Sequence, residues 1–396
     1  MTRRTSLLAL ACCLSALAAC GDDSGGAPGT PTDVVAVAGD GQVIVSWSGE
    51  ADKNYWVFYS EGTEVSFPGG MNNPGYRSSL GTGNPRVITA LTNGTTYAFA
   101  VGSAGSDYKL AETSASVSAT PRPAGGTWTA GAPLAAASLN GVLYDGARFV
   151  AVGTGGAVYT SVDAITWTAS VSGTTNDLNA LAFSGGSYIA VGAAGTIITS
   201  TDGGATWQTR SSGTTETLAG VAIGAGAYAV VGNGGTILTS GDAAIWTRVA
   251  SGTTEALSGV VFAVDRFLAT GANGTLLTAT DAGAWTRATV PSSANLRAAG
   301  YGANVYVAVG DAGTALWSAD GLTWSAGSVP AGSALRSVAF GSRFAAVGNG
   351  GTTLLSSDGK TWTAAVSAAS NTLNSVTFGN ARFSAVGAAG TNLTSL

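Results

Sequence analysis

From residue 126 onward the apolar positions fall in short runs, not in helical stripes. A representative stretch reads Leu178-Asn179-Ala180-Leu181-Ala182-Phe183, then Tyr188-Ile189-Ala190-Val191-Gly192, then Thr196-Ile197-Ile198-Thr199-Ser200, then Trp207-Gln208-Thr209. Small and polar residues separate the runs, the pattern of short strands joined by tight turns. Each unit therefore predicts four strands, and the unit recurs. Trp128, Trp167, Trp207, Trp246, Trp285, Trp324 and Trp362 follow one another at 39, 40, 39, 39, 39 and 38 residues. Asp163, Asp202, Asp242, Asp281, Asp320 and Asp358 stand four or five residues ahead of the last six. Gly153, Gly192, Gly232, Gly271, Gly310, Gly348 and Gly387 keep the same phase. A fixed period of this size marks a repeat architecture.

One unit per four-stranded antiparallel blade, repeated radially, predicts a β-propeller, which leaves few open sheet edges. A solenoid of β-coils is the alternative. The repeat region begins with the Trp128 strand and stops after the third strand of its last unit, residues 391–395. A ring closed by its own N-terminal strand accounts for that permutation, and a solenoid has no need of it. The expectation is an all-β chain with a seven-bladed propeller over residues 126–396, closed by its first strand.

Within each unit the third turn resembles the Asp-box, Ser-x-Asp-x-Gly-x-x-Trp, of BNR-like repeats. Ser200 to Trp207 matches it in full, and the copies opening at Ser318 and Ser356 match with one residue deleted. Ser161, Ser240 and Ala279 open weaker copies. A carboxylate in such a turn accepts backbone N–H bonds, and the Trp covers the hairpin. The six Asp and their Trp, from Trp167 to Trp362, are read as structural, because an active site or a Ca²⁺ site is needed once and not six times. The whole unit, as in Ser211-Ser212-Gly213-Thr214-Thr215 followed by Leu218, Ala229-Val230-Val231-Gly232 and Gly235-Thr236-Ile237, is similar to the repeats of the plant and cyanobacterial photosystem II assembly factor family. That resemblance implies a propeller acting as a binding scaffold. Sialidases also carry Asp-boxes, so the same motif admits a glycoside hydrolase.

The first residues carry an address. Arg3 and Arg4 precede an apolar run, Leu7 to Ala16, too short to span a bilayer as a mature helix. Leu17-Ala18-Ala19-Cys20 then resembles the lipobox of bacterial lipoproteins, which implies cleavage after residue 20 and lipidation of Cys20. An ordinary secretory signal is the alternative. Gly21 follows the Cys, and the resemblance then implies the outer membrane or cell surface of a bacterial envelope. Residues 21–30 form a Gly/Asp/Ser/Pro-rich tether. Residues 31–121 hold about seven short β-rich runs and resemble a fibronectin type III domain, with Trp47 as its core Trp and Leu91 to Tyr97 as its tyrosine corner. A Gly/Asn/Pro-rich insert, residues 62–85, obscures the middle strands. Residues 122–125 are a short linker around Pro121 and Pro123.

Composition narrows the chemistry. The chain has no His, so neither a Ser-His-Asp site nor His metal ligation is available. Of three Cys, Cys12 and Cys13 leave with the signal, and Cys20 alone remains. No metal set and no cofactor motif is present. The net charge is −5, and removing Arg3 and Arg4 from the 17 basic residues leaves 15 against 22 acidic ones, or −7. That balance offers no footprint for nucleic acid.

Aligning the first strand of each unit isolates one variable position: Asn140, Asn179, Ala219, Ser258, Arg297, Arg336 and Asn374. In a propeller it falls just inside the mouth of the central channel. Arg297 and Arg336, from adjacent units, offer a paired cationic site for a carboxylate or phosphate. Glu216 and Glu255 occupy equivalent loops leading into that mouth. Solvated rim charges of little energetic weight are the alternative. Arg148, Arg266, Arg343 and Arg382, each followed by Phe, read as outer-surface charges. The sequence thus points to a lipid-anchored envelope protein, without catalytic residues, that binds an envelope protein or glycan. A sialidase-type hydrolase and a structural spacer are the competing readings.

Overall fold

The computed structural model describes residues 29–51, 53–65, 77–104, 110–134, 137–330, 332 and 334–395 of the 396-residue chain. The segment read as a signal, Cys20 and the residues up to 28 read as a tether lie outside the described residues.

Two facing sheets come first. Thr32–Ala38, Val43–Ser48 and Arg86–Ile88 form one. Arg77–Gly81, Tyr55–Glu61, Tyr97–Ala104 and Leu110–Thr113 form the other, with Val117–Ala119 also paired to Tyr97–Ala104. Alternation along Val43–Ser48 turns Val43, Val45 and Trp47 inward. There they meet Tyr55, Val57, Phe99 and Val101 of the second sheet in one core. The Tyr97 hydroxyl accepts the Thr92 N–H at 3.1 Å, the bond expected of the corner. Two strands were not legible in the sequence. Arg77–Gly81 sits inside the Gly/Asn/Pro-rich insert and owes its conformation to pairing with Tyr55–Glu61. Leu110–Thr113 likewise forms at a sheet edge.

The rest of the chain is a series of four-stranded antiparallel sheets, seven among the described residues. In the second, Leu178–Ser184, Ser187–Gly192, Ile197–Ser200 and Gln208–Arg210 pair in sequence order. The inner strands of the seven begin at Leu139, Leu178, Leu218, Leu257, Leu296, Leu335 and Leu373. Each inner strand packs against the next, and the seventh packs against the first. The last sheet takes its fourth strand from the start of the repeat region. Leu393 pairs with Ala130 and Thr394 with Thr129. The molecule is all-β, and these sheets are the blades of a β-propeller.

The phased glycines hold each sheet to its own incoming loop. Gly192 is extended, so its backbone angles make no demand for glycine. A Cβ there would lie 1.9 Å from the Asp177 carbonyl oxygen, at the start of the inner strand. Gly195 adds a positive φ of 68°, and a Cβ on it would lie 1.9 Å from the Thr214 oxygen. Cores form between neighbouring sheets. Phe267, Trp285 and Leu277 of the fourth join Val231 and Ile237 of the third, and a fully buried side chain of this size contributes about 1.5–3 kcal/mol.

The outer-surface reading of the four Arg–Phe pairs fails for three of them, Arg382, Arg343 and Arg266. Arg382 is 5% exposed, and its Nη1 donates to the Asp163 carbonyl of the first sheet at 2.8 Å. Arg343 is half-buried and donates through Nε and Nη2 to the carbonyls of Ala124 and Pro123 at 2.8 and 2.7 Å. The start of each second strand lies beneath the third turn of the next sheet, and a long guanidinium side chain bridges the two. Arg148 reaches Gly203 in the same way but stays exposed. Arg266 pairs with Asp265 at 3.0 Å.

A candidate binding site at the central cavity

The inner strands place their second residues around a common axis. Small residues at the third position let adjacent strands approach: a Cβ on Gly220 would lie 2.9 Å from the Gly259 Cα. The result is a cavity of about 290 Å³ at one end of the ring. Asn140, Asn179, Ser258, Arg297, Arg336 and Asn374 line it from the second position of their strands, with Ser337 and Ser375 at the third. Among the described residues the lining contains no Asp, Glu or Tyr.

The three Asn have a structural task. Asn374 Nδ2 donates to the Leu139 carbonyl at 2.9 Å, Asn140 Nδ2 to Leu178 at 3.0 Å and Asn179 Nδ2 to Leu218 at 2.9 Å. Each therefore ties its inner strand to the next one, from the seventh sheet through the first and second to the third. The ladder stops at Ala219, which has no amide to continue it.

The two Arg are not equivalent. Arg297 Nε and Nη2 donate to the two carboxylate oxygens of Asp311 at 2.9 and 2.7 Å, a bidentate pair. Asn295 Nδ2 donates to the same carboxylate at 2.9 Å. Hydrogen bonding to Arg297 holds Asp311 below the usual carboxylate range, and the same bond raises Arg297. Arg336 is exposed and donates through Nε to the neutral Asn349 carbonyl oxygen at 2.7 Å. Among the described residues Arg336 thus makes no ion pair at the mouth, although its charge also acts on Asp311, whereas Arg297 is paired directly with Asp311 from within its own sheet. Sequence reasoning missed Asp311. Its signal was present: in the turn after the second strand the other units carry Thr154, Ala193, Asn233, Ala272, Asn349 and Ala388 at its position.

The structure does not bring the two Glu to this cavity. Glu216 lines a separate groove of about 750 Å³ with Arg210, Arg248 and Ser212. Glu255 accepts a bond from Asn273 Nδ2 at 2.9 Å. Both stand on the loops leading into inner strands, but those loops lie outward of the channel lining.

The six Asp expected in turns make closely matched bonds. Asp320 Oδ1 accepts N–H from Leu322 and Thr323 at 2.9 and 2.8 Å and the Ser318 hydroxyl at 2.9 Å. Asp358 repeats this with Lys360, Thr361 and Ser356. Asp163 and Asp242 use the same two N–H positions and the same Ser. Asp281 keeps the N–H bonds of Gly283 and Ala284 without a Ser, since Ala279 stands there. Asp202 is held by Thr206 and Ser200. Trp207, Trp285, Trp324 and Trp362 close their turns through Nε1, for example onto Gly204 at 3.1 Å. The Nε1 atoms of Trp167 and Trp246 are buried without a partner. No group of three or more potential metal-ligating side chains occurs among the described residues.

Comparison with known proteins supports this architecture. The family described as the DUF6242 beta propeller domain matches residues 80–221, from the Arg77–Gly81 strand into the inner strand of the third sheet. The fold is that of a β-propeller. Among solved structures, YCF48 from Cyanidioschyzon merolae is 21% identical, with a TM-score of 0.56 over 68% of this chain and 98% of that one. YCF48 bound to D1 peptide is 17% identical, with a TM-score of 0.57 over 67% and 94%. The WD40 β-propeller domain of Doa1 reaches 0.55 at 11% identity over 68% and 97%. At these identities the likeness concerns the fold alone. No curated protein matches the sequence.

Proposed function

We propose that this chain is a lipid-anchored scaffold of the bacterial cell envelope whose seven-bladed propeller recognises a protein partner at the mouth of its central cavity. The observation that carries the reading is the asymmetry of the two Arg. Arg336 presents an exposed guanidinium without a direct carboxylate partner among the described residues, beside an Arg297 already paired with Asp311. Such a site suits one carboxylate of a peptide. A protein of the same fold has been solved with a peptide bound. Among the described residues the lining offers neither a carboxylate nor a Tyr to serve as a hydrolase's acid, base or nucleophile. In this reading the Asp-box turns are structural parts and the fibronectin type III-like sandwich carries the propeller.

The arrangement also sets a direction. The sandwich touches the propeller through the turn after Thr32–Ala38, at the hairpin following Leu373–Gly379. Asn374 lies at the other end of that inner strand, about 20 Å away at 3.3 Å per residue. Thr32 lies at the other end of Thr32–Ala38 from that turn, so the chain enters the sandwich on the side away from the propeller, and the mouth faces away from that entry.

Capture from native envelope with the full chain tests the reading. Arg336→Ala should weaken capture of a specific protein by about 1.5–3 kcal/mol for each charge-assisted bond lost, and Asp311→Asn should strengthen it by releasing Arg297. Capture indifferent to both substitutions would place the site elsewhere. For the anchor, Cys20→Ala should abolish metabolic acyl labelling and release the protein from the membrane fraction. Labelling that persists in that variant removes the lipoprotein reading.

A further inference from the structure

The seventh sheet is assembled from both ends of the repeat region, so its third turn is split. Ser395 stands where Ser318 and Ser356 stand in the fifth and sixth sheets. Ala124, Gly125 and Trp128 stand where Asp320, Gly321 and Trp324 stand. The bonds agree with this alignment. Gly125 N–H donates to Ser395 Oγ at 2.8 Å, as Gly321 does to Ser318 at 2.9 Å and Gly359 to Ser356 at 2.8 Å. Trp128 packs on Phe383 with ring centroids 5.9 Å apart, as Trp362 packs on Phe344 at 6.1 Å. The split turn lacks one thing, the carboxylate, because Ala124 holds the Asp position.

A carboxylate is present all the same, and it comes from the sandwich. Asp40 Oδ2 accepts the Ala124 N–H at 3.3 Å and also the Ser342 hydroxyl of the sixth sheet. Its other oxygen accepts Asn93 Nδ2 at 2.7 Å, and Asn93 Oδ1 accepts the Gly41 N–H at 2.9 Å. The sandwich thus presents Asp40 in a fixed orientation. Arg343 holds the carbonyl of the same Ala124. Around this point the Asp40 N–H donates to the Ala381 carbonyl at 3.3 Å and the Arg122 N–H to the Gly39 carbonyl at 3.1 Å. We infer that Asp40 is the lock of the propeller ring: the sandwich supplies a carboxylate that bonds the Ala124 N–H of the split turn and the Ser342 hydroxyl, and so clamps the seam where the two chain ends meet. The closing strand, Thr129–Ala130, makes two residue pairs, extended by the Gly131 and Leu134 N–H bonds to Asn392 and Gly390, and the fastening at Ala124 adds to these in setting how often the seam opens. The sandwich is then part of the ring's closure as well as its carrier, and the segment read as a linker is a clamped interface.

Hydrogen exchange read by mass spectrometry on the full chain tests this. Asp40→Ala should speed exchange of residues 124–130 and 392–395 about tenfold and leave the third and fourth sheets, residues 218–287, unchanged. Among the described residues Asn93 makes no side-chain hydrogen bond to the propeller and acts through Asp40 and the adjoining Gly41, so Asn93→Ala should move the same peptides by less. It also serves where Asp40→Ala does not fold. Seam exchange unchanged in the folded variants, or accelerated equally in all seven sheets, overturns the inference.

Discussion

A carboxylate folded back on its own turn is the residue-scale device repeated around this ring. Backbone N–H groups converge on each Asp, with a Ser or Thr hydroxyl added at all but Asp281, and the ionised form is favoured even where the turn is open to water. The bonds of Thr206 bring Asp202 down to about 2, and those of Thr323 and Leu322 bring Asp320 to about 2. The N–H groups of Ile245, Gly283 and Thr361 lower Asp242, Asp281 and Asp358 in the same direction. A folded value below the unfolded one, about 3.9, stabilises the fold at pH values above the unfolded one, and that contribution disappears as the pH falls toward the folded value. The thermal midpoint should therefore stay level from neutral pH to about pH 5 and drop between about pH 4 and pH 2. Asp202→Asn with Asp320→Asn should lower the midpoint at neutral pH and flatten the acid slope. An acid slope identical to that of the parent chain would show that these turns do not couple to folding. Ala164, Ala243 and Ala282 show why three of the copies looked degenerate in sequence. They hold φ values of 58°, 60° and 64°, the left-handed conformation that Gly321 and Gly359 adopt at the same place without steric penalty.

The blade is the unit at the scale of elements, and its boundaries follow from side chains too small to obstruct a neighbour. Gly192 illustrates this, since its landmark status in the sequence comes from a close approach and not from a turn. Gly192→Ala would press a methyl group into the Asp177 carbonyl and should cost about 1–3 kcal/mol, checked by denaturant unfolding. A neutral result would mean that the inner strand can shift outward at that sheet. Four strands per unit and their order were legible from periodicity, because each was seen several times over, and in the unit beginning at Leu178 the limits came within one residue. Arg77–Gly81 was not, because a single edge strand in a Gly- and Pro-rich insert has no repeat to reveal it. Nor was the Asn ladder. Asn140, Asn179 and Asn374 share a position, which suggested a ligand, yet their amides point along the ring to the next strand.

Closure belongs to the scale of the whole molecule. The ring's ends are joined by Thr129–Ala130 on Leu393–Thr394, by Asn374 on Leu139, and by the Asn392 amide, which donates to the Ala132 carbonyl at 2.6 Å. Deleting residues 124–132 removes the first and third of these and the Trp128 core with them. The expected outcome is one broad loss of thermal stability across the propeller. A linear array would lose only its terminal repeat. Calorimetry distinguishes the two: a small loss confined to one end, with the remaining sheets unfolding at their original temperature, would contradict a closed ring.

The sequence by itself determined the repeating unit, the four strands within it, the Asp and Trp of its turn and the strand left over for closure. All of these depend on local spacing, and the chain states that spacing many times. Tertiary structure alone decided which charges remain free. Arg297 and Arg336 look alike in alignment, and only the turn after the second strand, which brings Asp311 to one and Asn349 to the other, separates them. Arg382 reads as a surface cation until the first sheet's turn covers it, 219 residues away in sequence. Asp40 reads as an ordinary turn residue until the sandwich is set against the seam. In each case the deciding partner lies across a turn or on another sheet, where the register between distant segments and not the pattern within one of them sets the distance.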